Sequence, residues 1–175
     1  MSAGILLLRL AIGMTVAAHG AQKLFGAFGG HGLEGTAQFL ESLGFRPGRP
    51  HAWALGGAEL VGGIMLAAGV LTPFAAAAVI GVMVVATLVV HRPQGFFAQN
   101  GGYEYPLALA LASEAVAITG PGRFSLDQLF GWQLAGADWG VAAAAVAMIG
   151  AAVVLAGRAV TNRSGHRGGA PAPAH

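Results

Sequence analysis

The run AWALGGAELVGGIMLAAGVLTPFAAAAVIGVMVVATLVV, residues 52–90, decides the fold because it contains a single charged side chain, Glu59. As one helix, with a rise of about 1.5 Å per residue, it would be nearly twice as long as the roughly 30 Å hydrocarbon core of a bilayer. The chain must therefore turn back within the run. Thr72-Pro73 is the natural place, since proline is tolerated in the first turn of a helix and interrupts its middle. The run predicts a tight hairpin of two membrane helices.

The composition of the whole chain also predicts a membrane protein. Of its 175 residues, 55% are hydrophobic and only 9% are charged, against about 25% charged in an ordinary soluble domain. So few charged side chains cannot cover a soluble globule of this size, and lipid is expected to surround most of it. The formal net charge of +2 gives no basic surface of the kind that binds nucleic acid. Cysteine is absent, which excludes disulfides, a thiol nucleophile and thiolate metal ligands.

Three further apolar stretches flank the hairpin, so the sequence predicts about five membrane spans. The expected spans are residues 5–25, 52–71, 74–90, 105–119 and 137–157. Between the first two, residues 33–43 carry apolar side chains at spacings of three and four, which predicts a short helix lying at the membrane interface. Residues 158–175, rich in Arg, Gly, Ala and Pro, are predicted to form a disordered basic tail.

The basic side chains between the spans predict the orientation in the membrane. With five spans, one side of the membrane receives most of them: Lys23, Arg46, Arg49, Arg92, Arg158, Arg163 and Arg167. Arg123 falls on the other side. The excess of basic residues in cytoplasmic loops then places the C-terminus in the cytoplasm and the N-terminus outside.

Ionisable side chains within the first span form a basic face. Lys23 lies about 40° around the helix from both Arg9 and His19, at about 100° per residue. Gly13 and Gly20 lie along the same face, so another helix can approach it closely. Since an ionisable side chain costs roughly 2.5–3.5 kcal/mol at the centre of a spanning helix, these residues are expected to meet a partner, a cavity or water.

Glu59, in the second span, is the candidate partner for that basic face. It is bracketed by Gly56 and Gly63 at i−3 and i+4, which again gives a narrow face. We predict an intramembrane ion pair between Glu59 and one of the three basic side chains of the first span. The sequence leaves open which of the three it is. It also leaves open whether the cluster is a purely structural clamp or lines a ligand or proton site as well.

A polar and aromatic loop joins the third and fourth spans, with His91 before it and Glu104 at its end. Its aromatic residues are either an ordinary interfacial belt or the mouth of a polar site in which His91 and Glu104 take part. Neither a Glu-x-x-His nor a His-x-x-x-His pair occurs, so no metal site is predicted. Glu114, in the middle of the fourth span, is expected either to be protonated or to face the bundle.

Five groups of residues, in fixed order, give the chain a family resemblance. They are Arg9…Gly13…His19-Gly20-Ala21-Gln22-Lys23-Leu24-Phe25, then Glu59-Leu60-Val61-Gly62-Gly63, then Gly69-Val70-Leu71-Thr72-Pro73 with His91, then Gly101-Gly102-Tyr103-Glu104-Tyr105-Pro106, and finally Gly120-Pro121-Gly122-Arg123-Phe124-Ser125-Leu126-Asp127. Over residues 4–127 the chain resembles the DoxX family of bacterial integral membrane proteins. The resemblance implies an all-α, polytopic membrane helix bundle with a four-helix core in residues 1–130. The span at 137–157 would be an additional, fifth transmembrane helix.

The resemblance also implies a role in membrane redox chemistry. Family members are linked with a small subunit of a thiosulfate:quinone oxidoreductase and with a membrane partner of superoxide dismutase and a sulfurtransferase. This chain is then expected to be an accessory subunit or membrane anchor of a quinone-linked system in the bacterial cytoplasmic membrane. Because the chain lacks cysteine, any redox chemistry would belong to a quinone or to an oxidoreductase partner.

Six residues are the candidate polar lining of a cofactor site: Arg9, His19, Lys23, Glu59, His91 and Glu104. A quinone is the candidate cofactor, and the expected partners are the lipid bilayer and a soluble or membrane oxidoreductase subunit, with no nucleic acid. Two other functions use the same sequence features. One is a small transporter or carrier of a small molecule, and the other is a membrane scaffold that binds no ligand.

Overall fold

The computed structural model describes residues 2–167, which form an all-α bundle without strands. Its α-helices are α1 (Ser2–Phe25), α2 (Gly32–Ser42), α3 (Gly48–Ala68), α4 (Thr72–Ala86), α5 (Glu104–Thr119), α6 (Leu126–Leu129) and α7 (Ala137–Arg167). A π-helical segment, Thr87–His91, continues α4, and short 3₁₀ turns occupy Ala27–Gly29, Arg92–Gln94 and Ala98–Asn100. The predicted helical membrane bundle is confirmed.

The predicted hairpin is the turn between α3 and α4. Gly69 ends α3 with φ +66°, a left-handed conformation that glycine adopts without steric cost. Leu71 also has a positive φ, of 47°, and Pro73 lies in the first turn of α4. The chain therefore reverses at the position that Thr72-Pro73 predicted from the sequence.

Glycines allow α1 and α3 to pack at backbone distance. A β-carbon at Gly13 would lie 2.5 Å from the carbonyl oxygen of Gly63, and one at Gly63 would lie 2.5 Å from the amide nitrogen of Ala17. Both distances are too short for a real side chain. The two glycine-lined faces predicted from the sequence therefore face each other.

Helix α4 lies at the centre of the bundle, in contact with α3, α5 and α7. Its fully buried Val79 belongs to one hydrophobic core with fully buried residues of three other helices: Val16 of α1, Leu66 of α3 and Val116 of α5. Among residues 2–167, four helices are long and apolar enough to cross a membrane: Ser2–Phe25, Gly48–Ala68, Thr72–Gln94 and Ala137–Arg163. Helix α5, with 16 residues, is about 24 Å long at the usual rise and packs against both α4 and α7 as an apolar member of the same bundle.

The bundle has two distinct ends. At the hairpin end, the α3–α4 turn meets the loop that contains α6. At the α2 end, α2 covers the bundle near the end of α1 and the start of α3, and both contact it. The long helix α7 runs from the hairpin end to the α2 end, where it contacts the segment that follows α2.

The C-terminal part of α7 corrects the prediction of a disordered tail. Residues 158–167 were expected to be disordered, but they continue α7 as helix. The Arg158 Nε donates a hydrogen bond of 2.7 Å to the carbonyl oxygen of Leu43, and its guanidinium lies 5.4 Å from the centre of the Phe45 ring. Composition alone did not reveal these tertiary contacts, which hold the end of the helix. The rest of the predicted tail, residues 168–175, lies outside the described residues.

Candidate functional site

A buried ion pair joins α1 to α3 in the half of the bundle nearer to α2. The Lys23 Nζ lies 2.6 Å from Oε2 and 2.8 Å from Oε1 of Glu59, so the ammonium group donates to both carboxylate oxygens. The Glu59 side chain is 4% exposed and that of Lys23 is 27% exposed. The partner of Glu59 is therefore Lys23, which the sequence alone could not distinguish from Arg9 and His19.

The position of the pair follows from the helix faces that carry it. A β-carbon at Gly56 would lie 2.7 Å from the Leu24 side chain and 3.4 Å from the β-carbon of Lys23. The missing side chain at Gly56 lets the lysine stem lie directly on α3, one turn from Glu59. Small residues therefore decide where the charges can meet.

His19 lies one turn before Lys23 on α1, beside the ion pair. Its Nδ1 is 3.1 Å from Oε1 of Gln22. The amide oxygen can only accept, so Nδ1 carries the proton in this contact. The other ring nitrogen of His19 is then available to accept a hydrogen bond from a ligand in the neutral imidazole, or to donate one in the charged form.

A large cavity adjoins the pair, with a volume of about 640 Å³. All five long helices and α2 contribute to its lining, which is mostly alanine, valine, leucine and phenylalanine. Two of the lining residues, Phe74 and Val146, are 51% and 53% exposed, so the cavity reaches the outer surface of the bundle. Its polar lining is confined to a few side chains: His19, Lys23, His51, Glu59, His91 and Tyr105.

Four of the six candidate residues therefore line one cavity: His19, Lys23, Glu59 and His91. The sequence did not single out His51 or Tyr105 for this site. His51 lies just before the second predicted span, a position at which a histidine is expected to be an ordinary interfacial residue. Tyr105 was grouped with the aromatic loop. Only the packing of α3 and α5 brings these two side chains to the cavity.

Arg9 lies elsewhere, at the hairpin end, and does not line this cavity. Its guanidinium donates to three carbonyl oxygens, those of Pro121, Ala67 (3.2 Å) and Phe124 (2.8 Å). Arg9 is fully buried, and its Nε has no hydrogen-bond partner within residues 2–167. The side chain thus fastens the loop after α5 to α1 and α3.

Asp127 completes the same junction. Its carboxylate accepts from the amide nitrogens of Leu71 (2.6 Å) and Thr72 (3.0 Å) and from the Thr72 hydroxyl (2.6 Å). These are donors at the N-terminus of α4, where a negative charge is favoured by the helix dipole. Ser125 caps α6, since its hydroxyl oxygen accepts a hydrogen bond from the Gln128 amide.

His91 and Glu104 organise the aromatic loop from its two ends. The His91 Nδ1 donates to the carbonyl oxygen of Gly101 at 2.7 Å, and Oε2 of Glu104 accepts from the Ala98 amide at 2.9 Å. Phe96 packs edge-on against Tyr103, and the centres of the two rings are 5.4 Å apart. His91 also borders the cavity, whereas Glu104 is used within the loop.

Glu114 lies beside α7. A β-carbon at Gly140 would be 3.1 Å from Oε1 of Glu114, so the carboxyl group faces the bundle. Its Oε2 is buried and has no hydrogen-bond partner in the described chain. Across residues 2–167, no three His, Asp or Glu side chains are grouped closely enough to hold a metal ion.

Comparison with known proteins identifies the family. The DoxX family model matches residues 4–92, about half of the chain. The chain belongs to the DoxX family. The match contains Arg9, the Lys23–Glu59 pair and His91, and it ends before the aromatic loop. No curated protein and no solved structure matches the chain.

Membership of the DoxX family and the apolar helices together identify an integral membrane protein. The exposed apolar side chains of the bundle are therefore in contact with lipid. The same setting gives the Lys23–Glu59 pair its significance, since charges are costly to bury in a bilayer and are seldom placed there without use.

Proposed function

We propose that this DoxX protein is an accessory subunit or membrane anchor of a quinone-linked redox system, and that its large cavity holds the quinone. The observation that carries the proposal is the Lys23–Glu59 pair in the wall of a mostly apolar cavity. We place the protein in the bacterial cytoplasmic membrane, as its family resemblance implies.

The size and lining of the cavity suit a molecule with a polar ring and an apolar tail. Ligand pockets commonly enclose about 300–1,000 Å³ and combine apolar walls with a few polar groups that fix orientation. The volume of about 640 Å³ lies within that range. Because Phe74 and Val146 on the outer surface also line the cavity, an apolar tail could extend through this opening into the lipid.

The side chains at the polar end have the chemistry that a quinone ring requires. Lys23, and His19 in its charged form, can donate hydrogen bonds to carbonyl oxygens, and Glu59 can accept from the hydroxyl groups of the reduced form. A bound quinone would supply the electron-accepting group that the chain itself lacks. The chain would hold and orient the ring and exchange protons with it, while a partner oxidoreductase supplies electrons.

Quinone binding to the purified protein tests this proposal. We expect organic extraction of the detergent-purified protein to yield a quinone, detected by mass spectrometry. Titration with a short-chain quinone analogue should give saturable binding, weakened at least about tenfold in the Lys23→Met/Glu59→Gln double variant. The control is Glu34→Gln/Arg49→Gln, which removes an ion pair whose side chains are both 67% exposed and should leave binding unchanged. Equal binding by both double variants, or none by the native protein, would contradict the proposal.

The other two functions predict different outcomes from the same preparation. A carrier should accumulate its substrate in proteoliposomes that contain this chain alone. A scaffold should capture an oxidoreductase from membrane extracts while no quinone is extracted from it. The quinone proposal requires extraction and titration to succeed together.

A further inference from the structure

A second, smaller cavity lies beside the first at the α2 end. Its volume is about 280 Å³, and we call it the vestibule. The vestibule is lined by Gln22, Lys23, Gly29, Gly30, His31, Gly35, Thr36, Phe39 and Leu55. Its lining includes exposed residues, Gly29 and His31, so it opens to the surface at this end. Its polar side chains and backbone groups are suited to hold water.

Lys23 belongs to the walls of both cavities. It is the one charged side chain among the residues that line both, since the other shared residues are Phe39 and Leu55. Its ammonium group directs two N–H donors at the oxygens of Glu59, and lysine has a third. With its side chain 27% exposed, Lys23 connects the buried carboxylate to the vestibule.

The opposite direction is closed by apolar packing. Between the ion pair and the hairpin end, Val16 and Leu66 are fully buried about two turns further along α1 and α3. Val79 of α4 and Val116 of α5 are fully buried as well. These four side chains belong to one hydrophobic cluster, which packs the bundle between the ion pair and the hairpin end.

We propose that the vestibule is a water-filled port through which the Lys23–Glu59 pair exchanges protons with the aqueous phase at the α2 end only. This inference rests on the proposed function, because it gives the quinone site its proton source. The other titratable groups that line the two cavities come from several surrounding elements: His19 on α1, His31 before α2, His51 on α3, His91 after α4 and Tyr105 on α5. The described part of α7 contributes only Val146, Ala147, Gly150, Ala151 and Val154 to these linings.

Cysteine labelling tests the port directly, because the native chain contains no cysteine. We would introduce single cysteines as Thr36→Cys, which leaves the ion pair intact, and as Lys23→Cys/Glu59→Gln. Each variant is reconstituted in liposomes, and a membrane-impermeant, positively charged methanethiosulfonate is added to one side. The exposed sites Gln99→Cys at the α2 end and Gln133→Cys at the hairpin end report which side the reagent has reached.

We expect the vestibule cysteines to react from the same side as Gln99→Cys. Adding His31→Trp, which fills the opening of the vestibule, should slow their reaction at least about tenfold. The control Val153→Cys, on the lipid-facing surface, should not react with the charged reagent. Reaction of both vestibule cysteines from the side of Gln133→Cys, or reaction with a lipid-soluble maleimide alone, would overturn the proposal. No quinone takes part, so failure here is distinct from failure of the proposed function.

A second measurement addresses the proton itself. In oriented proteoliposomes, changing the pH at the α2 end should change one infrared carboxyl band that is missing from the difference spectrum of Glu59→Gln. The same change of pH at the hairpin end should leave that band unaltered. A response from the hairpin end, or none from either end, would exclude proton exchange through the vestibule.

Discussion

Lys23 and Glu59 are unequally removed from solvent, with side chains 27% and 4% exposed, and this inequality has a consequence for stability. Without Lys23, the buried carboxylate of Glu59 loses its ammonium partner and has almost no contact with solvent. Without Glu59, the ammonium group of Lys23 can still turn toward the vestibule. We therefore expect Lys23→Met to destabilise the protein more than Glu59→Gln does, by about 1–3 kcal/mol. Unfolding midpoints in one detergent measure both, and a larger loss in Glu59→Gln would contradict the difference in burial.

Asp127 is the residue on which the hairpin end depends most directly. Its two carboxylate oxygens accept hydrogen bonds from the Leu71 and Thr72 amides at the start of α4. An asparagine has only one acceptor oxygen, so one of these amides would lose its acceptor. We expect Asp127→Asn to cost about 1–3 kcal/mol and to lower the thermal midpoint. The matched control, Asp138→Asn, alters an exposed residue in the first turn of α7 and should change stability much less.

At the scale of elements, the contact between α1 and α3 depends on backbone approach rather than on side-chain burial. Gly63→Ala would place a methyl group against the backbone of α1, and such overpacking costs about 1–3 kcal/mol. Gly57→Ala, on the same helix, meets nothing within 4 Å and should be neutral or slightly stabilising, since alanine favours helix. Chemical unfolding of the two variants gives the comparison, and equal stability would refute the close contact.

Helix α7 is held at its far end by contacts to the segment after α2. Arg158 donates to the Leu43 carbonyl and covers the Phe45 ring. We expect Arg158→Ala to loosen this end, so that amides of residues 43–45 and 158–163 exchange with deuterium faster while those of α1 do not. The control Arg163→Ala changes an exposed side chain and should leave exchange over residues 43–45 unaltered.

For the whole molecule, the structure groups the basic side chains of the described chain as the sequence predicted. Lys23, Arg46, Arg49, Arg92, Arg158 and Arg163 lie toward the α2 end, so the excess of basic residues on the cytoplasmic side predicts that this end is cytoplasmic. In intact cells, an impermeant thiol reagent should label Gln133→Cys and leave Gln99→Cys unlabelled. Labelling of Gln99→Cys alone would reverse the assignment.

The sequence by itself determined much of the fold, for reasons that act locally. Too few charged side chains exist to cover a soluble globule, and proline interrupts the long apolar run, so a membrane hairpin follows. Periodicity placed Gly13 and Gly63 on helix faces that permit close packing. The amphipathic spacing in residues 33–43 gave α2 in the same way.

The tertiary structure alone decided how those elements meet. Helical periodicity assigns a side chain to a face but not to a depth relative to another helix, so Arg9, His19 and Lys23 remained equivalent as partners for Glu59. Arg9 turned instead to carbonyl groups of a loop more than 100 residues away in sequence. The two cavities likewise exist only between packed helices. A contact between distant segments depends on their relative translation, which no local pattern of residues records.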